Sequence, residues 1–152
     1  MNSNSSPILI SACLVGINCR HDGTNAMRKK LIKQYSKERL IPICPEQLGG
    51  LPTPRPRAEI NPPSPPFRKE GNKKKNCKVI DMNDRDVTKE FIHGAEEALQ
   101  IAKLFNIKKA LLKEKSPSCG VRFIYKSGKL VIGMGVTARL LKDGGIEVAG
   151  VE

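Results

Sequence analysis

"PILISAC", residues 7–13, is a continuous apolar run that ends on a thiol. Four successive residues rich in β-branched side chains, with no polar alternation, are what a strand buried on both faces requires. The same event recurs twice. "RLIPIC", residues 39–44, runs apolar into Cys44, and "IKKALLKEK", residues 107–115, leads into "SPSCG" and Cys119. Between these strands lie helical patterns, and a chain that alternates strand and helix reads as an α/β fold. The expectation is a single domain with an open, mostly parallel sheet and helices on both faces, a Rossmann-like three-layer arrangement.

The intervening elements follow from periodicity and punctuation. A segment near 25–38 places Met27, Leu31, Ile32 and Tyr35 on one helical face. "DVTKEFIHGAEEALQIAKLF", residues 86–105, is the strongest helix, with Phe91, Ala95, Ala98, Leu99 and Ala102 at helical spacing. Asp86 or Thr88 suits its start and Asn106 its end. "KVIDM" reads as a short strand, "FIYKSGKLVIG" as a hairpin or bulged connection around Ser127 and Gly128, "VTARLLKDGG" as a last helix and "IEV" as a last strand.

At 152 residues the chain suits one domain, and no apolar run approaches the length of a membrane span. The stretch before Cys13 resembles a lipoprotein cleavage site, but "MNSNSSP" carries no positive charge and the apolar part is short. A cytoplasmic, reducing compartment is therefore expected, where an odd count of five cysteines favours thiols or metal ligands over disulfides.

The net charge of +12 invites a nucleic-acid reading, yet half of it falls in residues 54–78, which carry eight Lys and Arg against two Glu. Six of the eleven prolines lie there too. That composition reads as a solvated surface loop, with a Pro/Lys-rich insertion at about 61–76. RNA contact is the less favoured reading, because no aromatic side chain interleaves with "NKKKN" as a stacking platform requires.

In an open parallel sheet, ligands bind outside the carboxyl ends of the strands, which is where Cys13, Cys44 and Cys119 stand. Three thiols distant in sequence are thereby placed to meet in one crevice. A structural zinc site ordinarily takes four ligands, often in CxxC pairs, and the chain has no CxxC. An iron–sulfur cluster also takes thiolates, ordinarily four. With three, one iron keeps an open position; Cys19 is a candidate fourth ligand and Cys77 the weakest. A phosphatase-like nucleophile is the rival chemistry, but "CLVGINCR" puts six residues between Cys13 and Arg20 where that cradle needs five. For any one cysteine, burial as a small apolar side chain is an adequate explanation.

Taken together, "SACLVGINCRHDG", "CPEQLGGLPTPRPRAEI", "DVTKEFIHGAEEAL" and "LLKEKSPSCG" resemble the thiouracil desulfurase family, from about residue 8 to the C-terminus and interrupted by the basic segment. The resemblance implies a [4Fe-4S] cluster held by Cys13, Cys44 and Cys119. It implies Glu46 and Ser116 as catalytic residues, and a small thiolated pyrimidine as substrate, desulfurated by Lewis-acid activation at the open iron. Two features depart from the family pattern: His21 stands where tyrosine is common, and "NPPSPPFRKEGNKKK" looks inserted. The alternative of another class is a basic RNA-binding or zinc-binding module that uses its cysteines structurally.

Overall fold

In the computed structural model, which describes residues 5–61 and 77–152, the first apolar run becomes β1 (Ile8–Ser11), an interior strand. It pairs in parallel with β2 (Leu40–Ile43) on one side and with β5 (Lys109–Lys113) on the other. β8 (Glu147–Val151) adds to the far side of β5, giving the order β2-β1-β5-β8 with every pair parallel.

Both faces of the sheet are covered, and β1 shows why its run had to be apolar throughout. Leu9 belongs to a core with Ala98 and Ala102 of α3 (Thr88–Leu104) and Leu141 of α4 (Val136–Asp143). Ile8 and Ile10 point the other way, into a core against which Leu31 of α1 (Lys29–Gln34) and Tyr35, just past its end, pack. β5 repeats the alternation, with Ala110 and Leu112 on the first face and Leu111 on the second. Each such leucine or isoleucine contributes about 1.5–3 kcal/mol by leaving water. The expected α/β class with helices on both faces therefore holds.

Several elements depart from the sequence reading. α1 is six residues long and buries none of them fully. Residues 25–28 are not helical because they fold against the 3₁₀ turn at Ala12–Val15, with Ala26 N–H on the Cys13 carbonyl and Arg28 N–H on that of Leu14. "KVIDM" does form a strand, β4 (Lys78–Asp81), but it pairs antiparallel with β3 (Ala58–Asn61), which the proline and charge content concealed. Of the insertion expected at about 61–76, Asn61 ends β3 and the rest lies outside the described residues.

The hairpin is present as β6 (Phe123–Lys126) and β7 (Lys129–Ile132), turning at Ser127 and Gly128, both with positive φ. Residues of β3, β4, β6, α3 and α4 share a third apolar core around Ile60, Val79, Phe91 and Ile124. At the start of α3, Asp86 Oδ1 accepts the N–H and the hydroxyl of Thr88; at its end, Asn106 turns left-handed at φ 54°. None of the described helices is long and apolar enough to cross a membrane.

A short helix, α2 (Pro45–Leu48), follows β2 directly, with Pro45 in its first turn. It sits tight on α3 because two glycines face each other's backbone. A Cβ on Gly94 would lie 1.8 Å from the Pro45 carbonyl oxygen, and one on Gly49 would lie 1.9 Å from that of Glu90.

Candidate active site at the strand ends

Since β2, β1 and β5 are adjacent and parallel, their carboxyl ends open on one side of the sheet. Cys13 leaves β1 in the 3₁₀ turn, Cys44 leaves β2 as the residue before α2, and Cys119 lies in the loop that follows β5. All three line one cavity of about 450 Å³. The structure thus brings together the three cysteines singled out from the sequence, and with them Cys19, which is buried at the same cavity. Cys77 is elsewhere, in the third core with Ile60 and Val79.

The four thiols differ sharply in acidity. The Cys19 thiol donates to Cys13, which holds Cys13 below the usual thiol range against the opposing pull of burial. The same contact pushes Cys19 up to about 11. Cys44 is raised by its contact with Cys19 and then by burial, and its thiol also donates to the Cys19 carbonyl at 3.7 Å. Burial foremost pushes Cys119 up to about 12. None of these four is in a disulfide.

Among the described residues, no three or more His, Cys, Asp or Glu side chains are gathered tightly enough for a single ion. Thiols from three strand ends around a wider cavity suit a larger body with soft sites, which is the donor set of an iron–sulfur cluster. Binding of any such group requires the thiols to deprotonate.

Glu46, in the first turn of α2, reaches the same cavity. Its Oε1 accepts from Arg55 Nε at 3.0 Å and its Oε2 from the Ser118 hydroxyl at 3.0 Å. Ser116 also lines the cavity but sits one step further back, with its Oγ 3.1 Å from that of Ser118. It makes no hydrogen bond to Glu46. The Ser116 Oγ instead accepts the N–H groups of Ser118 and Cys119, which shapes the turn that carries the thiol.

Arg55 corrects the reading of residues 54–78 as a solvated loop. Its side chain is 4% exposed, and besides Glu46 it donates to the carbonyls of Cys19 and Pro52 and to the Thr53 hydroxyl. A buried guanidinium needs such a full set of acceptors. Ser118 and Arg55 were both missed in the sequence. The spacing of "SPSCG" offers two serines with nothing to choose between them, and Arg55 is masked by the cationic composition around it.

The floor behind Cys119 is set by Glu114, whose buried carboxylate accepts the N–H groups of Val121, Arg122 and Phe123. At the mouth stand Arg20, His21, Arg57, Lys113 and Tyr125, with the Arg57 guanidinium 5.4 Å above the Tyr125 ring. Burial foremost lowers the His21 pKa, and the positive charges of Arg57 and Arg20 act in the same direction. Asp22, also at the cavity, accepts the N–H and the hydroxyl of Thr24 on its Oδ1.

A family model described as 2-thiouracil desulfurase matches residues 8–152. The uncharacterized protein YbbK of Bacillus subtilis (strain 168) is 42% identical over 144 residues, covering 93% of each chain. A solved structure of a [4Fe-4S]-dependent thiouracil desulfidase, TudS, superposes with a TM-score of 0.79 at 38% identity, over 96% of this chain and 91% of that one.

Proposed function

The chain belongs to the 2-thiouracil desulfurase family, and from that premise we propose that it is an enzyme that hydrolyses the C–S bond of a thiolated pyrimidine, using a [4Fe-4S] cluster held by Cys13, Cys44 and Cys119. The observation that carries this reading is the meeting of three strand-end thiols with a partly buried carboxylate, held at both oxygens, in one cavity. When bound, a cluster with three protein thiolates supplies one iron lacking a protein ligand, a soft Lewis acid suited to a thiocarbonyl sulfur.

The chain's own groups then divide the remaining tasks. Ser116, at the cavity wall, is placed to hydrogen-bond the pyrimidine. Glu46 accepts the proton released as water attacks the thiocarbonyl carbon, since Arg55 and Ser118 hold both its oxygens in fixed positions. Cys19 serves by donating to Cys13 rather than as a fourth ligand. His21 and Tyr125 bound the mouth through which the ring enters.

Anaerobic reconstitution with iron and sulfide tests the reading. The expected result is a broad brown visible absorption and, on addition of 2-thiouracil, release of sulfide with formation of uracil. A colourless protein, or a coloured one that releases no sulfide, overturns it.

A further inference from the structure

The buried guanidinium of Arg55 joins two parts of the chain that carry different thiols. Its Nη2 donates to the Cys19 carbonyl at 2.8 Å and its Nε to Glu46 Oε1 at 3.0 Å. Its Nη1 donates to the Pro52 carbonyl at 3.2 Å and to the Thr53 hydroxyl at 2.9 Å. The backbone repeats the first of these ties, since the Arg55 N–H donates to the His21 carbonyl at 2.8 Å. Thr53 repeats the second, because its hydroxyl also accepts from Gln47 of α2 at 2.7 Å. Residues 19–21 continue the segment that starts at Cys13, whereas Glu46 and Gln47 come two and three residues after Cys44. The Cys44 thiol reaches the same Cys19 carbonyl, at 3.7 Å. One planar fork thus spans two of the three thiol-bearing segments, beyond the point where the pairing of β1 with β2 ends at Ser11 and Ile43. Neither segment can hold itself by helicity, because the 3₁₀ turn with Cys13 and α2 are four residues each.

From this geometry we propose that Arg55 is a positioning residue with two tasks: it sets the separation of the Cys13 and Cys44 segments, on which retention of the cluster depends, and it holds Glu46 in its working orientation. The inference rests on the desulfurase reading above. What the site takes from Arg55 is the shape of the fork as well as its charge. A lysine would still place a positive charge beside Glu46, but one ammonium on a flexible stem cannot serve acceptors on three sides of a plane. Groups that orient metal ligands from behind are typically worth about 10–100-fold in metal affinity or activity.

The test compares Arg55→Lys with the parent, both as full chains loaded anaerobically with iron and sulfide. One readout is the loss of the brown absorption to an excess of iron chelator, which needs no substrate. The other is turnover of 2-thiouracil per bound iron. Arg55→Lys is expected to release iron about 10-fold faster and to lower kcat by about 10–100-fold, with KM little changed. A merely structural arginine would change the yield of loaded protein and leave kcat per iron alone. In a Glu46→Gln background, Arg55→Lys should lower kcat by less than a further factor of about three, because the carboxylate it orients is gone. Iron release should stay as fast there as in Arg55→Lys alone. A release rate equal to the parent's overturns the first task, and an equal kcat per iron overturns the second. If Arg55→Lys does not fold, Thr53→Val decides, since it removes one acceptor and the tie to Gln47 while leaving the arginine in place. It should speed release and lower kcat, and parental values of both overturn the proposal. A parent that holds iron but releases no sulfide overturns the desulfurase reading and the second task, while the chelator experiment still decides the first. A parent that takes up no iron overturns everything.

Discussion

Glu46 occupies the first turn of a helix, where an acidic side chain is favoured by the dipole alone, and it also sits between Arg55 and Ser118 at a thiol-lined cavity. Replacement by Gln keeps size and removes proton transfer. We expect Glu46→Gln to retain its iron, read by absorbance, while sulfide release from saturating 2-thiouracil falls by about 10²–10⁴-fold. Among the thiols, alanine at Cys13, Cys44 or Cys119 should abolish iron retention, whereas Cys77→Ala should leave it intact, since Cys77 packs with Ile60 and Val79. Iron lost from Cys77→Ala, or kept by Cys119→Ala, contradicts the assignment. Glu114 gives a different signature. Burial alone would raise its pKa, but the N–H groups of Arg122 and Val121, and the Arg122 side chain, outweigh that and hold it below the ordinary value. A carboxyl depressed in the folded state stabilises the fold above its unfolded pKa, about 4.3, and loses that contribution as pH falls through the folded one. Melting temperature should therefore drop steeply for the parent below about pH 4.3, and less steeply for Glu114→Gln, which starts lower. The thiols were legible because each ends an apolar run. Arg55 and Ser118 were not, because a buried role for an arginine depends on acceptors drawn from Cys19, Glu46 and Pro52, which no local pattern announces.

At the scale of elements, the sheet was readable because strands buried on both faces must be continuously apolar, as "ILIS" and "KALLK" are. β3 was not, since "AEIN" follows three prolines and carries a charge, and its pairing with Lys78–Asp81 spans a stretch of different composition. The helix expected over 25–38 came out short for a tertiary reason: the backbone at Ala26 and Arg28 is used by the turn bearing Cys13. α2 is the element on which the site is most exposed to damage. It carries Glu46, follows Cys44 immediately and has four residues, so its position depends on α3 rather than on its own helicity. Gly94→Ala should force α2 and α3 apart, because the new Cβ meets the backbone carbonyl of Pro45. Overpacking of this kind costs about 1–3 kcal/mol or more. The expected readout is a lower melting temperature together with weaker iron retention, from a residue that does not line the cavity. Unchanged iron content in Gly94→Ala would mean that the contact between the two helices does not position the site.

For the molecule as a whole, the net charge of +12 is the feature whose meaning composition left most open. Part of the cationic stretch proved to be interior, in Arg55 and β3, while the segment 62–76 lies outside the described residues. Deletion of residues 62–75 is expected to preserve folding, iron content and turnover of 2-thiouracil, with any RNA affinity falling and losing part of its dependence on salt. Collapse of the fold on deletion would show that the segment packs. The strand order has a further effect, on timing. β1 is central, β2 covers one flank at once, and the other flank stays bare until β5 arrives about a hundred residues later. Cys119 follows later still, so on the ribosome two of the three thiols emerge long before their companion. During synthesis at about 5–20 residues per second, that interval lasts several seconds at least, in which Cys13 and Cys44 are open to stray metals and oxidants. On the proposed assignment of Cys13, Cys44 and Cys119 to one cluster, iron would have to be delivered after synthesis, and the cell's handling of the early thiols would help set how much active protein accumulates.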